Sequence, residues 1–196
     1  GADYAVSKGD IAGNADGFAL RTPASANEVQ WFVNGASAAG GPTITDSALF
    51  SGNWCFVGTT SGTAQSLYAK KDTGTSATTA TGTTTHGDVA NAVALIIGAD
   101  NAGASAWMAT TFRAFALYMR ALTATEAASA QNYLLGFPGY RMPYGPVAFY
   151  HMGDDRSWDG VTASVYNLAS TAHIGTLVST PPTRGIPAPL RLLDRW

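Results

Sequence analysis

A chain of 196 residues, 46% hydrophobic and 12% charged, is long and apolar enough to bury a core in a single domain, and it is not a disordered chain. Its formal net charge of −2 offers no broad electrostatic footprint for a nucleic-acid backbone. A single cysteine, Cys55, leaves no partner for an internal disulfide, and the apolar runs fall well short of the ~20 residues that span a bilayer.

Gly, Ala, Ser and Thr dominate, whereas Glu occurs only at Glu28 and Glu126 and Lys only at Lys8, Lys70 and Lys71. Helix-favouring charged residues are scarce, so β structure is expected. The first ten residues, GADYAVSKGD, show no basic start, apolar run or cleavage site, and a soluble chain without an address label is expected.

Strand patterns begin at residues 18–22 (FALRT) and 28–34 (EVQWFVN), joined by a tight connection over 23–27. Asn34-Gly35 and Gly40-Gly41-Pro42 mark turns. Residues 54–60 (WCFVGTT) and 66–71 (SLYAKK) read as a hairpin through Ser61-Gly62-Thr63, with Cys55 a buried thiol on a core strand. The Thr/Ala/Gly tract at 73–85 suits a polar edge strand or a loop. Residues 93–98 form a continuous apolar run, expected to be a strand buried on both faces. In residues 112–120, Phe115, Leu117 and Met119 alternate with Ala114, Ala116 and Tyr118, as in a central strand covered on each side.

One helix is expected near residues 123–135. Thr123-Ala124-Thr125-Glu126 has the spacing of a capping box, Leu122 can staple against Ala127, and Gly136 supplies a left-handed stop. Pro138 and Pro143 then mark a boundary over 137–145. Beyond it, residues 147–152 (VAFYHM), 161–168 and 174–178 (IGTLV) carry further strand patterns around an Asp-rich turn at 153–160. Residues 181–196 hold four prolines and end in Leu190, Leu192, Leu193 and Trp196, which suits an extended docking arm and no regular sheet.

Several of these pieces together resemble the laminin-G-like branch of the concanavalin A-like lectin and glucanase family. They are Trp54, Thr59, Thr60, Gly62, Leu67 and Tyr68, then Ile97 and Gly98, then Phe115, Leu117, Tyr118, Arg120 and Leu122, and finally Thr123 and Glu126. The resemblance covers about half the chain and implies an all-β fold, an antiparallel jelly-roll β-sandwich with one short helix. This chain departs from the family at Lys70-Lys71-Asp72-Thr73-Gly74, where an acidic residue and Gly usually close a hairpin. It departs again in the family's opening strand, whose pattern appears only after the helix, at Val147 to Asp154 and in NLASTAHIGTL from Asn167. The implied organisation is a sandwich body over 1–145, completing strands over 146–180 and a Pro-rich arm over 181–196. The completing strands would fold onto their own sandwich or a neighbouring subunit's, or else form an unrelated tail.

Chemistry on such a sandwich would need paired carboxylates across a sugar bond. Glu28 and Glu126 each lack an acidic partner two or four residues away, and Asp154 and Asp155 are adjacent, so on a strand they would face opposite sides. No G-x-S-x-G occurs, and His86, His151 and His173 lie in unrelated contexts, so no enzyme is expected. No Cys/His cluster supports zinc. The resemblance implies a calcium site at the rim, for which Asp100 and Asn101, or Asp154, Asp155 and Asp159, are the candidates; no other cofactor is expected. Trp107, Trp158 and Tyr144 are loop aromatics suited to a glycan or a protein partner.

The expected role is therefore a non-catalytic assembly protein acting through protein–protein contacts. A decoration, cement or fibre-associated subunit of a virus or bacteriophage particle, located in the virion and homo-oligomeric or bound to capsid or fibre proteins, fits by analogy. Leu190, Leu192, Leu193 and Trp196 would form its assembly arm. The alternative is an extracellular, carbohydrate-binding lectin-like module. Neither reading involves nucleic acid or a membrane.

Overall fold

The computed structural model describes residues 3–9, 17–23, 27–33, 41–49, 51–73, 77–83, 95–98, 112–151, 164–170 and 175–176. These are mostly β, with one short helix among them. Strands β1 (Asp3–Lys8), β2 (Phe18–Thr22), β3 (Glu28–Val33), β4 (Thr43–Thr45) and β8 (Leu95–Ile97) form a five-stranded sheet in the order β4-β3-β2-β1-β8. Strands β5 (Trp54–Ser61), β6 (Ala64–Lys71) and β7 (Ala77–Thr83) form a three-stranded sheet with β6 in the middle. β9 (Ala114–Leu117) pairs with β10 (Ala148–His151), and β11 (Ser164–Val165) with β12 (Gly175–Thr176). The strand pairings are antiparallel.

The two larger sheets meet across one core. Val29 and Ile44 from the first sheet and Leu67 and Ala69 from the second are buried together with Leu49, and Leu20, Trp31, Trp54, Phe56 and Ala80 close around them. The registers explain the set. Leu20 lies opposite Trp31 and Val29 opposite Ile44, so these four share a face. Trp54 and Phe56 lie opposite Lys71 and Ala69, which puts both aromatics on the inner face of the hairpin.

Gln65 belongs to that inner face as well. It is 2% exposed, and neither its side-chain nitrogen nor its oxygen has a hydrogen-bond partner. A buried amide with no partner carries its full desolvation penalty. Gln65→Leu, similar in volume and without polar atoms, is expected to raise stability by ~1 kcal/mol or more. A urea midpoint below that of the parent chain would contradict this.

Helix α1 (Ala124–Leu134) begins as its sequence dictates, with a complete capping box at Thr123 and Glu126, and it stops at Gly136, whose φ is 85°. Ala127, Ala130 and Gln131 face inward, and the Gln131 side chain donates to the Cys55 carbonyl on β5 (3.1 Å). The helix thereby lies over one end of the three-stranded sheet. Burial there pushes the Cys55 thiol up to about 12, so it stays protonated and unreactive at neutral pH.

Three expectations need correction. Among the described residues, 95–97 lie at the edge of their sheet and are half-buried, not covered on both faces. Among the described residues β9 has β10 as its one strand partner, and each of its residues is half-buried, which differs from a central strand covered on each side. β1 and β4 carry no strong strand pattern, yet β1 sits between β2 and β8 in the largest sheet.

The segment after the helix is tied to the body through one strand and to itself along that strand's other edge. Its strand β10 pairs with β9 of the same chain, Ala148 opposite Leu117 and Tyr150 opposite Phe115, and these four side chains pack into a small core. On the other edge of β10, the Leu168 amide donates to the Phe149 carbonyl (2.7 Å), and the Asn167 side chain bonds both Phe149 N (2.8 Å) and Val147 O (3.0 Å).

Candidate interaction surface

The helix start holds the main exposed surface in place. Glu126 Oε2 accepts from the Thr123 amide (2.9 Å), and Glu126 also pairs with Arg120 (2.7 and 2.9 Å). Arg120 in turn donates to the Tyr144 carbonyl (3.2 Å). The Tyr118 hydroxyl donates to the Pro143 carbonyl (2.9 Å), and Ser129 Oγ to the Arg141 carbonyl (2.8 Å). Three carbonyls of the segment after α1 are thus anchored to the end of β9 and to the helix. Pro138 and Pro143 stiffen that segment, and Gly139 and Gly145 take left-handed turns within it.

This frame turns large apolar groups outward. Tyr144 is 95% exposed and Met119 82%, with Tyr140 half-exposed on the same segment. Apolar side chains held in solvent by a braced loop mark a contact surface.

Electrostatics support the brace. The Arg120 guanidinium, followed by the Thr123 amide, holds the Glu126 carboxyl down at about 2. Burial pushes the Tyr118 hydroxyl up to about 12. Because Glu126 ionises more readily in the fold than in the unfolded chain, its contribution is complete above its ordinary value of 4.5 and disappears as pH falls through about 2. Glu126→Gln should remove that part of the acid-unfolding curve. Identical pH profiles for the two proteins between pH 4.5 and 2 would show that the brace contributes nothing.

A second surface is the outer face of the three-stranded sheet. Cys55 and Lys70 lie opposite each other at the end under the helix, where the Lys70 ammonium bonds Asn132 Oδ1 and stands 5.0 Å from the centre of the Phe137 ring. The next rung is Val57, Tyr68 and Thr79, and the one after it Thr59, Ser66 and Thr81. Thr79 and Thr81 are exposed and the other four half-buried. These two rungs form a neutral patch of hydroxyls around one aromatic ring.

Of the residues singled out from sequence, Tyr144 is the one in view, and it is fully presented. Trp107, Trp158, Asp100, Asn101, Asp154, Asp155, Asp159, Leu190, Leu192, Leu193 and Trp196 lie outside the described residues. Among the described residues, no three His, Cys, Asp or Glu side chains come close enough to hold a metal ion, and no helix is long and apolar enough to cross a membrane. The sequence does not mark Met119 and Tyr140 as surface groups. Met119 continues an apolar alternation that suggests an interior position, although the strand ends at Leu117. Tyr68 belongs to the family resemblance, and its hydroxyl-bearing neighbours become visible only with the register. No family model, curated protein or solved structure matches this chain.

Proposed function

We propose that this protein is a non-catalytic assembly subunit that works through protein–protein contacts. The observation that carries the reading is the exposure of Tyr144 on the braced loop and of Met119 between the loop's anchors Tyr118 and Arg120. Apolar groups so exposed serve a partner better than they serve the isolated chain. The underlying architecture we infer is a laminin-G-like, concanavalin A-like jelly-roll sandwich. The shared core of the two larger sheets supports it, as does the pairing of the displaced opening strand β10 with β9. The same pairing supports completion of the chain's own sandwich over donation to a neighbour.

A decoration, cement or fibre-associated subunit of a virus or bacteriophage particle, located in the virion, is the form of assembly protein that best suits a single β body with a Pro-rich apolar arm. Light scattering after size exclusion tests the assembly reading. The full chain should form a homo-oligomer that dissociates on Tyr144→Ser with Met119→Ser, or on deletion of residues 181–196. A monomer indifferent to both changes would overturn it.

The Tyr68 face favours a second reading, a carbohydrate-binding module, because a ring flanked by hydroxyls suits the apolar face and hydroxyl edge of a neutral sugar. Binding on a glycan array that disappears with Tyr68→Ala would support it. Binding that disappears with Tyr144→Ala and survives Tyr68→Ala would move the sugar site to the loop.

A further inference from the structure

Met119 stands in the chain between the two side chains that anchor the loop. The Tyr118 hydroxyl donates to the Pro143 carbonyl (2.9 Å), and Arg120 pairs with Glu126 and donates to the Tyr144 carbonyl (3.2 Å). Both neighbours are thus held in the brace, while the Met119 side chain is 82% exposed. Met142, the other methionine among the described residues, is half-buried on the segment after the helix. Cys55 is buried and stays a protonated thiol, so it does not compete for an oxidant. Among the described sulfur atoms, the one an oxidant in solution reaches first belongs to Met119.

A thioether reacts with hydrogen peroxide in one step. The sulfur lone pair attacks one oxygen, the O–O bond breaks and the S–O bond forms. The proton on the attacked oxygen passes to the departing hydroxide, which leaves as water. Sulfur is oxidised by two electrons and the peroxide is reduced by them. The sulfoxide is polar where the thioether was apolar, and methionine sulfoxide reductases reverse it. Inside a contact the new oxygen would need a donor that a surface fitted to a thioether does not supply. With Tyr118 and Arg120 tied down on either side, the backbone has little room to swing the oxidised side chain out of the surface.

We propose that Met119 is a site of reversible oxidation by peroxides, and that its sulfoxide keeps the subunit from assembling. The oxidation follows from exposure; its consequence rests on the assembly reading of the surface that Met119 shares with Tyr144. A partner would shield Met119 once assembled, so the modification acts on the free chain. One polar atom left without a donor in the contact should weaken self-association roughly tenfold or more.

Limited treatment of the dilute full chain with hydrogen peroxide tests it. After quenching, the chain is concentrated and separated by size exclusion, and each fraction is mapped by peptide mass spectrometry. Met119 should gain its oxygen well before Met142, and Met119 sulfoxide should collect in the monomer fraction. Reductase treatment of that fraction should return it to the oligomer. Met142→Leu should respond to peroxide as the parent does, whereas Met119→Leu should give the same ratio of oligomer to monomer with and without peroxide. Equal Met119 sulfoxide in the two fractions would overturn the proposal, as would oxidation of Met142 ahead of Met119. Undiminished peroxide sensitivity in Met119→Leu would do the same. An oligomer that forms with Met119 fully oxidised would overturn this inference and leave the assembly reading standing. A parent chain that is monomeric before any peroxide is added would instead remove the assembly reading, and the proposed consequence with it.

Discussion

Gly58→Val is expected to be the most damaging single substitution in the body of the protein. A Cβ at this position would lie 2.3, 2.4 and 2.9 Å from three atoms of the Trp31 ring, well inside contact distance. The ring has little freedom to retreat. Its Nε1 donates to Thr60 Oγ1 (3.0 Å), the Phe18 ring lies 5.6 Å away, and the Gly41 backbone closes on the Trp31 carbonyl. Overpacking costs ~1–3 kcal/mol where neighbours can adjust, and a clash with a tethered ring belongs at or above the top of that range. Since natural domains are stable by only ~5–15 kcal/mol, a marginal one would be largely unfolded by the change.

A double-mutant cycle isolates the cause. Trp31→Ala alone should cost ~3 kcal/mol or more through lost burial. Adding Gly58→Ala to that background should cost little, because the ring it would strike is gone. Coupling of ~1–3 kcal/mol between the two sites is therefore expected from urea unfolding. Additive effects would show that Gly58 is needed for its own backbone conformation and not for Trp31.

These two residues also show where reading the chain stops. The hairpin over 54–71 was legible because its aromatic and apolar residues and its Gly62 turn are local signals, as was the capping box, which runs only from Thr123 to Glu126. The stacking of Trp31 on Gly58 was not, because it joins two sheets. β1 was missed for the same reason. Its run of Tyr4, Ala5, Val6 and Ser7 is buried throughout, with a bulge between Tyr4 and Val6, so no alternation marks it. Its interior place arises from pairing with β8, about ninety positions away. At the surface, Tyr144 could be found between Pro143 and Gly145, which announce a loop. The ion pair that braces the loop links Arg120 to Glu126 across the helix start, and it needed the fold to be seen.

Asn167→Ala is expected to release the segment that follows the helix. Asn167 is 8% exposed, and its side chain takes the place of a strand residue along β10. Oδ1 accepts from Phe149 N (2.8 Å) and Ala169 N (2.9 Å), while Nδ2 donates to Val147 O (3.0 Å) and Ser170 Oγ (3.2 Å). Alanine would leave the Phe149 amide and one bond to the Val147 carbonyl unmet at a buried edge, at ~1–3 kcal/mol for each group and not fully additive. A total loss of ~2–4 kcal/mol follows from those terms. Hydrogen exchange at the Phe149 amide should accelerate more than at amides of the three-stranded sheet, since the bonds removed belong to β10. Uniform acceleration would mean that β10 and the main sheets unfold as one unit. Asn167→Asp provides the control. Its buried carboxylate keeps the acceptor for Phe149 N but opposes the Val147 carbonyl, so its pKa should rise in the fold. Protonation restores an O–H donor, and stability should therefore recover as the pH is lowered through that raised value. A variant that weakens steadily with acid would show that the donor to Val147 is not what holds the segment.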